Sequence, residues 1–97
     1  MNMQQMLAQA QKMQRQMEKA QAELEKKEFS VTKNGAVTIK ALGSREIISI
    51  DIDDSILSPE DKEMLQDMIL MGINEIMTTI STEEEKIKSM ATRGFGF

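Results

Sequence analysis

Apolar residues return along the first quarter of the chain in alternating three- and four-residue steps, at Met3, Met6, Ala10, Met13, Met17, Ala20 and Leu24. That spacing predicts a helix over about 3–27 with one narrow seam. The period then drops to two. Phe29 and Val31, then Val37, Ile39 and Ala41, then Ile48, Ile50 and Ile52 alternate with polar residues and predict three half-buried strands within about 28–53. Asn34-Gly35 suggests a two-residue hairpin, but that register would send Phe29 and Val37 to different faces. A three-residue loop, Lys33-Asn34-Gly35 with Gly35 at positive φ, pairs Val31 with Val37 and Phe29 with Ile39 and keeps one apolar face. A second turn near Gly43 to Glu46 would pair Ala41 with Ile48, Ile39 with Ile50 and Val37 with Ile52, leaving Leu42 and Ile47 together on the outer face.

Ser58-Pro59-Glu60-Asp61 reads as a helix start: a Ser cap, Pro at the first helical position and acids at the positive end of the dipole. A long helix is expected from there to about residue 91, followed by a flexible tail over 92–97. Its first half carries Met64, Leu65, Met68, Ile69, Leu70, Met71, Ile73, Ile76 and Met77, which cover roughly two thirds of its circumference. One sheet face cannot bury so much. A second copy of the chain is the simplest cover, with Ile48, Ile50, Leu65, Met68, Ile69 and Ile73 as the expected dimer interface. Lengths set the outline. The two helices would span about 33 and 45 Å, against about 20 Å for a six-residue strand, so both must overhang the sheet and pack on each other as a projecting arm.

Charge divides the chain in a way that its net −4 conceals. Residues 1–45 carry a balance of +4, residues 46–85 one of −11 and residues 86–97 one of +3. Such asymmetry points to an anionic partner, because local potential steers association more than the total does. With the first helix's seam written as heptad positions a and d, Lys12 and Lys19 fall at c and Arg15 at f, on the face turned away from the seam. A solvated back of an ordinary packing helix is the plain reading of that stripe. Its functional reading is a grip on duplex phosphates, joined by Lys86, Lys88 and Arg93, whose place at the tip or the base of the arm the sequence leaves open.

Other chemistry is sparse. There is no His and no Cys, so the usual general base, the best metal ligand and the thiolate nucleophile are missing, and no catalytic residues, cofactor or metal are expected. Asp51, Asp53, Asp54, Glu60 and Asp61 lack the ligand spacing and central Gly of a calcium loop and read as a solvated strand end and helix cap. Three aromatics are too few for a base-stacking platform. Apolar runs are too short for a signal peptide or a membrane span, so a soluble cytoplasmic protein built as one domain over 1–97 is expected.

Taken in order, several segments resemble the YbaB/EbfC family of nucleoid-associated DNA-binding proteins. They are Ala8-Gln9-Ala10-Gln11-Lys12-Met13-Gln14, Gly35-x-Val37-x-Ile39, Gly43, Ile52-Asp53-Asp54-Ser55-Ile56-Leu57, and Asp61-Lys62-Glu63-Met64-Leu65-Gln66-Asp67-Met68. Asp54 stands where Pro is usual, and Gln66 where Glu is usual. The resemblance implies an α+β protomer of order α-β-β-β-α, with a three-stranded antiparallel meander and long terminal helices. It further implies a tweezer-like homodimer that binds duplex DNA with its projecting helices, at the nucleoid, with effects on its organisation and on gene expression. A competing expectation is a dimeric scaffold whose Met-rich arms take a partner protein.

Overall fold

The computed structural model describes residues 2–94, with side chains through residue 90. Helix α1 runs from Met3 to Lys26 and opens on a reciprocal capping box. The Asn2 side chain accepts from the Gln5 backbone N–H at 2.8 Å, and the Gln5 amide oxygen accepts from the Asn2 N–H at 3.2 Å. Lys27 is extended, and the chain passes at once into β1 (Glu28–Lys33), then β2 (Val37–Leu42) and β3 (Ile47–Ile52). The strands form one antiparallel sheet in the order β1-β2-β3. Two short 3-10 turns, Asp54–Ile56 and Pro59–Asp61, lead into α2, Lys62–Gly94. The α-β-β-β-α order is the expected one.

Both hairpins differ from the expected registers: the first keeps a three-residue loop but moves it along by one residue, and the second gains a bulge. In the first, Asn34 (φ 52) and Gly35 (φ 65) form the left-handed pair of a type I′ turn, closed by the Ala36 N–H on the Lys33 carbonyl at 2.9 Å. Ala36 is then inserted before the ladder, and Lys33 pairs with Val37, Val31 with Ile39 and Phe29 with Ala41. The apolar face is kept, but the pairing slides by two positions from Val31–Val37. In the second, Val37–Ile52 and Ile39–Ile50 pair as expected, and a bulge after Lys40 puts Ala41 opposite Ile47. The expected outer pair of Leu42 and Ile47 is thereby overturned: Ile47 packs against the core and Ile48 is left 45% exposed.

Helix α2 lies across β1 and β2 and barely reaches β3. Val37, Ile39, Ala41, Ile76 and Ile80 are sealed in the resulting core, with Phe29, Met68 and Ile56 around them. Two glycines permit the close approaches. A Cβ on Gly72 would sit 2.7 Å from Ile39 Cδ1, and one on Gly43 only 1.8 Å from the Leu24 carbonyl oxygen. Gly43 and Ser44 also donate backbone hydrogen bonds to the carbonyls of Lys27 and Glu25, which fix the end of α1 to the β2–β3 turn. At the other end of the sheet, Ser58 accepts from the Asp61 N–H and donates to its carboxylate, both at 3.0 Å, so the expected first α turn is a 3-10 turn and α2 proper begins at Lys62. Helix α2 continues to Gly94, so residues 92–94 of the expected flexible tail are helical, and the rest of that expectation, 95–97, lies outside the described residues.

The extents are 69 × 22 × 15 Å, and the radius of gyration is 19.6 Å, against about 12–13 Å for a compact chain of this length. The excess length is the arm. Helix α1 packs on α2, and its seam opens steadily toward the amino terminus. Leu24 is buried, Ala20, Met17, Met13 and Ala10 are half-buried, and Met6 and Met3 are 58% and 76% exposed.

Candidate nucleic-acid interface

Because α1 docks through Leu24 and Ala20, its opposite side is free along the whole arm. Lys12, Arg15 and Lys19 lie there, all exposed, within about 60° of one another around the axis and about 10 Å along it. Among the described residues none of the three makes an ion pair. Glu18 stands to one side, where it accepts from the Gln14 amide at 3.4 Å. Glu23 falls on the stripe itself, so the acid-free run ends at Lys19. Exposed Gln9 and Gln16 border the run, and their amides can donate to phosphate oxygens. Glutamine is so frequent in this helix that its spacing gave no signal of a special role.

The second group of expected contacts is placed differently. Arg45 in the β2–β3 turn pairs with Glu84 and donates to Ser81 Oγ at 3.0 Å, which brings Glu84 level with the base of α1. Lys86 and Lys88 therefore stand on the arm just beyond that junction. They do not form one patch. Two residues apart on a helix, they point about 160° from each other, with buried Ile87 between them. Each is also near an acid one turn back, Lys86 to Glu83 at 3.6 Å and Lys88 to Glu85 at 4.0 Å. The Arg93 side chain lies outside the described residues.

Of the expected interface residues, Ile48 and Ile50 are exposed on the edge strand, 45% and 44%, and Leu65, Ile69 and Ile73 are half-buried against the core. Met68, at 5% exposure, is used within the chain. Leu70 and Met71, at 61% and 58%, are the larger uncovered side chains of α2.

The acidic segment after β3 serves the backbone. Asp53 accepts from the Ser55 N–H at 2.9 Å, a bond that holds its carboxyl below the usual carboxylate range. Among the described residues no three acidic side chains converge as a metal site would require, and no helix is long and apolar enough to cross a membrane.

Similarity to known proteins places the whole chain in a family. The family model described as the YbaB/EbfC DNA-binding family matches residues 1–95. The chain belongs to that family. It is 40% identical over 94 residues to a nucleoid-associated protein of Mycoplasmopsis pulmonis, covering 97% of this chain and 93% of the other. It is 46% identical to nucleoid-associated proteins of Malacoplasma penetrans, over 90% of this chain and 93% of the other, and of Clostridium novyi, over 97% and 83%. A crystal structure of an uncharacterized Helicobacter pylori protein shares the YbaB/EbfC chain's fold, with a TM-score of 0.71 at 20% identity, covering 91% of this chain and 94% of that one.

Proposed function

We propose that the protein binds duplex DNA at the nucleoid as a homodimer, chiefly through phosphate contacts and with little sequence preference, and so acts on nucleoid organisation and gene expression. The observation that carries this reading is the exposed run of Lys12, Arg15 and Lys19, none of which makes an ion pair among the described residues, on a projecting arm of a chain that belongs to a DNA-binding family. Cations on a rigid helix supply phosphate affinity, which carries no sequence information by itself. Lys86, Lys88 and Arg93 add weaker contacts, the first two because nearby acids draw on their charge. For the dimer, exposed Ile48 and Ile50 of the edge strand and half-buried Leu65, Ile69 and Ile73 of α2 offer apolar surface that a second copy would cover, with Met68, at 5% exposure, adding least.

A dimer that neutralises about five phosphates should lose affinity with a log–log salt slope of about −4.5, or about 10²- to 10³-fold between 50 and 200 mM salt. Mobility shifts of unrelated duplexes across that range test this. A retarded complex at low salt, similar for all sequences and lost at high salt, is expected; no complex at low salt would remove the reading.

A second reading is supported by exposed Met3, Met6 and Leu7: a dimeric scaffold whose arms receive a partner protein. It predicts capture that is insensitive to salt and to charge reversal on α1.

A further inference from the structure

The charges are sorted by position along the long axis, and the two ends are opposite in sign. On the arm, residues 2–22 and 86–94 carry six cations and one acid, Glu18. Residues 51–67 carry seven acids and one cation, Lys62. The fold separates these groups. Helix α1 docks at the sheet end marked by Gly43, whereas the acidic segment leaves the sheet where Ile52 pairs with Val37 and Asp53 donates to the Ala36 carbonyl. A six-residue strand, about 20 Å, lies between them, which is more than two Debye lengths at physiological salt. Each end therefore presents its own potential to an approaching polyanion. Asp51, Asp54, Glu60, Glu63 and Asp67 are all exposed at the acidic end and, among the described residues, none is in an ion pair.

We infer that contact with DNA is one-ended: the arm takes the duplex, and the acidic base repels it and is held outward. This rests on the DNA reading above and adds to it an orientation, with repulsion at the base as important as attraction at the arm. Bound molecules would then display the sheet and the start of α2 away from the duplex. The net charge of −4 becomes part of the device, because the acids that produce it stand at the end from which DNA is excluded.

The chain has no cysteine, so one introduced thiol can carry a photo-crosslinker at a chosen point. Gln16→Cys places it on the arm and Gln66→Cys on the base, both at exposed positions. With a 30-base-pair duplex at about 0.1 M salt, the arm probe is expected to crosslink at least about tenfold more than the base probe. Neutralising the base with Asp51→Asn, Asp54→Asn, Glu60→Gln, Glu63→Gln and Asp67→Asn should raise the base crosslink about fivefold and leave the arm crosslink undiminished. The single reversal Glu63→Lys should move the base crosslink the same way by about twofold, which keeps the test sound if the fivefold-substituted chain folds poorly. Equal crosslinking from both ends, or a base crosslink that neither variant raises, would overturn the inference. Absence of any crosslink together with absence of a mobility shift would instead remove the DNA reading, and the orientation with it.

Discussion

The base and the arm of this molecule are made from the same two helices and differ in almost everything else. At the base, Val37, Ile39, Ala41, Ile76 and Ile80 have no appreciable exposure, Gly43 and Gly72 let backbones touch, and the surface is acidic. On the arm, a single methionine seam is half-buried and then open, and the back is basic. Folding free energy is therefore concentrated at one end and basic charge at the other. Substitutions can remove one property and spare the other, which makes the division testable.

The sharpest break should come from the sealed core. Ile39→Ala removes a fully buried side chain that touches α2 at Gly72, and should cost about 2–5 kcal/mol in denaturant unfolding. Met13→Ala, on the half-buried seam of the arm, should cost less than about 1.5 kcal/mol. Equal losses would show that the arm is packed as firmly as the base. Gly43→Ala comes next. Its methyl would overlap the Leu24 carbonyl, so α1 must shift at its docking point, with a cost of about 1–3 kcal/mol and faster amide exchange along α1 than along β2.

Smaller effects sharpen the boundary. Arg45 holds a left-handed φ of 77° while its guanidinium ties the β2–β3 turn to Glu84 and Ser81. Reversing the pair with Arg45→Glu and Glu84→Arg should restore most of what either single reversal loses, about 0.2–1 kcal/mol for a partly exposed pair. The smallest effect belongs to Asp53. Its carboxyl is lowered in the folded state by the Ser55 N–H, so its stabilisation is present above the unfolded value of about 3.9 and fades as pH falls through the folded value. Asp53→Asn keeps an acceptor without the charge. Its melting temperature should lie slightly below that of the parent at pH 6 and converge with it as pH falls through the parent's lowered folded value.

How much of this was legible in the sequence follows from the range of the interactions involved. The heptad steps of α1, the alternation in the strands and the apolar breadth of α2 are local periodicities, and each became the element it suggests. The hairpin registers were not legible, because Ala36 and Ile48 are single inserted residues whose cost or benefit depends on what covers each face. The use of Gly72 within α2 appears only when Ile39 arrives from the sheet. The stripe of Lys12, Arg15 and Lys19 was readable from the heptad, but that none of the three makes an ion pair among the described residues was not. Nor was the contrast with Lys86 and Lys88, each near an acid one turn back and on opposite sides of their helix.

The division of labour is tested most directly by titrating one duplex with the parent chain and with the Lys12→Glu, Arg15→Glu, Lys19→Glu variant, while unfolding both in denaturant. Each position is exposed, so stability should change by no more than about 0.5 kcal/mol per site. Affinity at 50 mM salt should fall by about 10²-fold or more on every duplex, and the log–log salt slope should shrink by about 2–3. An affinity within about twofold of the parent, with the slope unchanged, would contradict the claim that the back of α1 is the surface that meets DNA.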